Sequence, residues 1–304
     1  MKQSQHGVAI VLAMGVVAFA AVAATAILAS QSIWSRQVEL AANRVQARNV
    51  LQAGTDWARE LLYDDQRSGD VDHPGEPWAL RLPPMPIDNG ELLGKIDDQQ
   101  GAFNLNSLVT DGKVNLIRLT QFRRLLALLG LPPDLAYNLA DWIDQDSLPQ
   151  PEGGSEDDDY LTANPPYLAA NRPLIDVAEL ALIRGFDDPV RTRLRPFVAA
   201  LPGTVPLNVN TASAEVLASM VEGLDLNTAQ ALVAQRGQAY YRNREDFLKR
   251  LPRKVAPPTG DISVSSNFFL ANLRVSVGDA RTSGMVLLQR RSSGWPVVIW
   301  RKYL

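Results

Sequence analysis

The sequence predicts an α+β protein. A long N-terminal helix begins in a membrane and leads into a helix-and-sheet core with an antiparallel sheet, and a large all-α domain is inserted into that core. Three observations predict this. Residues 8–29 form an uncharged apolar run that continues into an amphipathic pattern. Helical signals dominate from the end of a short strand at 91–97 to about residue 251. Strand-like runs cluster at the end of the chain, with one short partner far upstream. The 304 residues, 46% of them hydrophobic, suffice for one large or two modest cores.

The elements follow in chain order. The 22 residues of the apolar run span about 33 Å as a helix, enough to cross a bilayer core of roughly 30 Å. Met1 to Gly7 precede it as a short polar leader with one lysine. Cleavage after Gly7 would keep the apolar helix on the mature chain; cleavage near Ala26, as in an ordinary signal peptide, would remove it. Beyond Ala29, Ile33, Val38, Ala41, Val45, Ala53, Trp57 and Leu61 recur at helical spacing, so one helix is expected from Val8 to Leu62. Such a helix, apolar and then amphipathic, resembles the anchor of a type IV pilin-like subunit.

Residues 64–90 read as a proline-rich loop ending in Asn89-Gly90, followed by a short strand over 91–97. Leu116 to Leu129 define a helix stopped by Gly130, and Pro133 opens another containing Leu135, Leu139 and Trp142. Asp176 with Glu179 predicts a capped helix start, and Thr211 is expected to cap the helix containing Val216. Residues 268–277, 284–291 and 296–302 read as a three-stranded meander. The strand at 91–97 would be too isolated without that sheet, so an insertion explains the element order better than tandem domains. Phe103-Asn104-Leu105-Asn106 and Leu207-Asn208-Val209-Asn210 each precede an apolar helix, a Gly-Leu turn and a second helix, which predicts two related units.

Composition excludes several functions. With no cysteine there is no disulfide framework, thiolate metal site or cysteine nucleophile. Two histidines, His6 and His73, cannot build a polyhistidine metal site. A pI near 5.5 argues against a nucleic-acid partner. The densest chemical signal is residues 141–159, with eight acidic side chains and no basic one. Oxygen-only ligands around Gly153-Gly154 suit a hard cation such as Ca²⁺, although the spacing is not that of an EF-hand. A solvated acidic loop, or a pair of carboxylates for glycoside cleavage, are the other readings. Residues 208–236 look like a helix–hairpin–helix, but Asp225 stands where phosphate would approach in a DNA-binding version.

Taken together, the chain resembles the K-class minor pseudopilins of type II secretion systems. The marks are the Gly7 leader and apolar helix, Asp97 and Phe103-Asn104-Leu105-Asn106, Asp141-Trp142-Ile143-Asp144, Glu156-Asp157 with Tyr160, Asn171-Arg172-Pro173-Leu174, Asp176-Val177 with Glu179-Leu180, and Leu207-Asn208-Val209-Asn210-Thr211-Ala212-Ser213. The resemblance implies cleavage after Gly7 by prepilin peptidase and N-methylation of Val8. Leu12 stands at the fifth mature position, where most pilin-like proteins carry Glu and the K class does not. A tip subunit has no amine ahead of it to pair with such a buried Glu.

The resemblance also implies a non-enzymatic subunit capping the tip of the pseudopilus. It would be single-pass in the bacterial inner membrane with its C-terminal domain in the periplasm. Its partners would be I- and J-class minor pseudopilins, with exported proteins as a further contact and no nucleic acid. It implies Ca²⁺ in the inserted domain, with Asp141, Asp144, Asp146, Glu156 and Asp157 at matching positions and Asp158 and Asp159 looser matches. The expected division is leader 1–7, helix 8–62, pilin-like α/β core 63–110 with 256–304, and inserted domain 111–255. The rival reading is a membrane-anchored helix–hairpin–helix DNA-binding protein.

Overall fold

A computed structural model describes residues 6–81, 83–255 and 262–304. Most of the expected leader, residues 1–5, and the segment 256–261 beside the expected second domain boundary lie outside the described residues. Helix α1 runs unbroken over His6–Ser68, 63 residues. It is the one helix among the described residues long and apolar enough to cross a membrane. From Gly7 to Val45 it buries no side chain.

Packing begins at Ala47. Ala47, Leu51, Thr55, Ala58 and Leu62 are buried at steps of three and four, the spacing of one helix face. The expected stripe through Ala53, Trp57 and Leu61 is one position off, and Trp57 is exposed. Close approach decides the face. A Cβ on Gly54 would sit 3.3 Å from Leu92, and one on Gly284 of the sheet 2.9 Å from Leu51. Ala47, Gly54 and Ala58 let this face, which also carries Leu51 and Leu62, come close to the sheet.

That sheet has five antiparallel strands in the order β1-β2-β9-β10-β11: β1 Met85–Ile87, β2 Gly90–Asp98, β9 Phe268–Val277, β10 Ala280–Gln289 and β11 Val297–Tyr303. β2 pairs with β9 along its whole length, as the lone upstream strand requires. β10 begins four residues earlier than expected, because Gly278, at φ 52°, makes a two-residue turn of Gly278-Asp279. β1 is new: Pro86 hid it, and proline is tolerated because the strand is at the edge.

The packing fixes which end of the sheet is which. Ala47 and Leu51, nearer the apolar half of α1, pack on Leu92, Leu273, Val275 and Val277. Ala58 and Leu62 pack on Ile96, Phe269 and Ala271. β2 leaves the sheet at Asp98, opposite Phe269, and β9 enters at Phe268. Both ends of the intervening segment therefore lie at the sheet end away from the apolar half of α1.

The intervening segment folds into two units on one plan. In the first, β3 (Phe103–Asn104) pairs in parallel with β6 (Val198–Ala199). Between them lie the small hairpin of β4 (Val109–Thr110) and β5 (Lys113–Val114), then α2 (Leu116–Leu128), α3 (Leu135–Ile143), α4 (Asp157–Tyr160) and α5 (Asp188–Leu194). In the second, β7 (Leu207–Asn208) pairs in parallel with β8 (Ile262–Ser263) around α6 (Ala214–Met220), α7 (Leu226–Gln238) and α8 (Arg244–Arg250). Gly130 and Gly223 both turn the chain at positive φ, 65° and 76°. Asn106 clamps the Leu174 peptide, accepting from its N–H at 2.7 Å and donating to its carbonyl at 2.9 Å. Asn210 clamps Tyr241 in the same way, at 2.8 and 3.0 Å. Two residues after each clamped peptide, Asp176 and Asn243 cap a helix.

The two units share one core, which also takes in Phe103, Leu105, Leu108 and Ile262, residues assigned to the sheet portion by sequence. The cap of α6 is Ser213, which accepts from Val216 N, and not Thr211, whose hydroxyl is held by Asp98.

Candidate metal centre

The acidic segment is positioned by α3, whose side chains are buried at eight of nine positions. Asp141 lies on its last turn and Asp144 is its C-cap, so their direction is fixed by the helix. The chain then loops out and returns. Gln150 N donates to both Asp141 oxygens, at 3.3 and 3.2 Å, and the Ser155 amide also bonds this carboxylate. Gly154 presses against the same group: a Cβ there would lie 1.6 Å from Asp141 Oδ2. Asp141 thus acts as the hub around which the loop closes, and closure delivers Glu156 toward Asp144.

Asp144 is 1% exposed and Glu156 6%. All four of their carboxylate oxygens are buried without a hydrogen-bond partner. Together with the exposed Asp146, each offers an oxygen within 4.8 Å of the others. Burial first, then the neighbouring Asp146 and Asp141, pushes Asp144 up to about 7. Glu156 is likewise pushed up to about 7 by burial and then by Asp141 and Asp144. Burial also raises Asp141 to about 6, against the hydrogen bonds from Gln150 and Ser155. Unpaired buried carboxylates cost free energy that a cation would repay.

The structure brings together only part of the expected ligand set. Asp141, Asp144, Asp146 and Glu156 converge. Asp157 and Asp159 are committed elsewhere: Asp157 accepts from Ala169 N at 2.9 Å, and Asp159 pairs with Arg184. Both lie on α4, and Asp157 still adds negative charge beside Glu156. The sequence singled out Asn171 only within the Asn171-Arg172-Pro173-Leu174 run. Its backbone N–H donates to Trp142 O at 3.0 Å, and its Oδ1 is buried without a partner. A neutral amide carries no charge signal to find it by.

A second carboxylate group, Asp65, Asp72 and Glu76, differs in kind, because Arg290 already pairs with Asp72 and Asp65. In the helix–hairpin–helix of the second unit, Asp225 caps α7 by accepting from Thr228 N at 2.9 Å. The turn presents a carboxylate where a DNA-binding hairpin offers bare N–H groups, so the DNA-binding alternative has no support here.

Comparison with known proteins decides the family. Two family models described as type II secretion system protein K match, one over residues 101–203 and one over 207–265. Type II secretion system protein K of Pseudomonas aeruginosa is 39% identical, the match covering 97% of this chain and 91% of the relative. The chain belongs to the type II secretion system protein K family. The Klebsiella pneumoniae member is 31% identical over 98% of this chain and 96% of its own. The crystal structure of the GspK-GspI-GspJ complex from enterotoxigenic Escherichia coli contains a chain that superimposes with a TM-score of 0.75 at 25% identity, over 90% of this chain and 99% of that one. The stretches matched by the two K-family models coincide with the two Asn-clamped units.

Proposed function

We propose that this K-family chain is a structural subunit, not an enzyme, that closes the tip of a type II secretion pseudopilus, assembled with I- and J-class minor pseudopilins. One observation carries the reading: the two-unit helical segment is mounted at the sheet end away from the apolar half of α1. With that half in the inner membrane and the remainder in the periplasm, the bulk lies where the next subunit would add. The exposed face of α1 up to Val45 is then the surface for neighbouring helices. Leu12, in place of an acid, suits a subunit with no amine ahead of it. The GspK-GspI-GspJ complex supports the choice of partners. Prepilin peptidase would cut after Gly7 and methylate Val8; both residues lie in the exposed start of α1.

The acidic loop fits Ca²⁺. Its donors are oxygens only, two buried carboxylates lack partners, and the loose grouping suits a large cation with six to eight ligands better than Mg²⁺. Asp144, Asp146 and Glu156 would hold the ion, with Asn171 as a neutral donor and Asp141 holding the loop in place. The ion would tie the loop to α3 and stiffen the first unit.

The full chain, solubilised in detergent and mixed with I- and J-class pseudopilins, should elute as one ternary complex, and its mature N-terminus should be Val8 by mass spectrometry. Failure to bind either partner, or cleavage near Ala26, would reject the reading.

A further inference from the structure

The end of α1 lies over a buried charge cluster that tip capping does not use. Arg290, just beyond β10, is 5% exposed. Its Nη1 lies 2.6 Å from Asp72 Oδ1, its Nη2 pairs with Asp65, and its Nε donates to Leu62 O at 3.1 Å. Glu76 completes the group, with one oxygen of each acid within 4.8 Å of the others. Three carboxylates thus face one guanidinium, and full ionisation would leave two negative charges beside it uncompensated. Glu76 Oε2 accepts from His73 N at 2.8 Å and from Trp78 Nε1 at 2.9 Å. An oxygen of Glu76 and one of Asp65 lie within 4.8 Å of each other. Two carboxyl groups share a hydrogen bond only when one of them holds a proton.

The cluster is also a junction. Asp65 belongs to α1, Asp72 to Trp78 to the segment after it, and Arg290 to the end of β10. The His73 ring stacks on Tyr240, centroids 3.9 Å apart, beside the Tyr241 that Asn210 clamps. Asn208 Nδ2 donates to Asp72 O at 3.1 Å. The 72–78 segment therefore joins the anchor helix and sheet to the second helical unit. A cavity of about 380 Å³, with Asp64, Asp70 and His73 on its wall, opens the cluster to water.

We infer that the proton shared by Asp65 and Glu76 is a latch that fastens the 72–78 segment, and through it the second helical unit, to the end of the anchor helix. Burial is the main force that pushes Glu76 up to about 7; hydrogen bonds from His73 and Trp78 oppose it, and Asp65 and Asp72 add to it. Burial also raises Asp65, against Arg290, and lowers His73, against Asp65 and Asp72. Arg290 is the cation facing the pair, Tyr240 covers His73, and Asp64 and Asp70 add negative charge at the rim. Because the folded Glu76 holds its proton more tightly than the unfolded one, the latch contributes fully below about pH 4.5. That contribution is lost as pH rises through about 7.

Hydrogen–deuterium exchange of residues 69–80 tests this in the full chain in detergent, with excess Ca²⁺ present and rates corrected for intrinsic exchange. The readout is local, so it stands whether or not the acidic loop binds Ca²⁺. Protection should be roughly tenfold lower at pH 8 than at pH 6, following the window between the two Glu76 values. Glu76→Gln keeps both a donor and an acceptor without a titrating proton, and should show no such dependence. Selective ¹³C labelling of the wild-type Glu76 carboxyl should give a midpoint near 7, which decides the matter if the Gln variant misfolds. Equal protection at both pH values, a tenfold change that survives in Glu76→Gln, or a midpoint near 4.5 would overturn the latch.

Discussion

Asp144 and Glu156 are buried without partners at a cost, which sets the direction of every substitution there. Asp144→Asn or Glu156→Gln should raise the melting temperature in chelator, since each removes a buried unpaired carboxylate. The same variants should lose the Ca²⁺-dependent gain, about 2.7 kcal/mol at 100 times Kd for one site. A scan with and without chelator checks both signs. The folded values near 7 also fix the pH dependence. Without Ca²⁺, the two acids stabilise the fold below their unfolded values, and this is lost as pH rises to about 7. Protons compete with the ion, so Ca²⁺ affinity measured by calorimetry should fall as pH drops below 7. The acidic run was legible because it breaks composition. That Asp157 and Asp159 have partners of their own was not, because charge counting cannot see Arg184 or the Ala169 amide across the chain.

Elements show how local rules reach long-range packing. Gly154→Ala should prevent the loop from closing on Asp141, since its Cβ overlaps Oδ2, and Ca²⁺ titration should then show no binding while the sheet remains folded. Asn106→Ala and Asn210→Ala each strand a buried peptide that had both bonds satisfied, and each should cost roughly 2–4 kcal/mol in denaturant unfolding. The two Asn-x-Asn runs were readable as an echo because the same clamp needs the same residue at the same offset. The strand β1 was not readable, because its proline signals a loop unless the strand is known to lie at an edge. The stripe of α1 was misplaced by one position for a related reason. Periodicity finds a face, but the closeness allowed by Gly54 and Gly284 chooses among adjacent faces.

The whole molecule is a lever: an apolar helix at one end, a sheet packed on its second half, and two helical units beyond the sheet. The order of elements already showed an insertion, because strands at 91–97 and 268–302 could only complete each other. The sequence could not say at which end the insertion emerges. That follows from the register of β2 and β9 together with the pairing of Ala58 and Leu62 with Phe269 and Ile96. The tip-cap reading rests on that geometry. Gold labelling of an epitope placed on the second helical unit of the full chain, in pseudopili assembled with the I- and J-class subunits, tests it most directly. The account predicts label at one end of each filament only, and label distributed along the filament would contradict it.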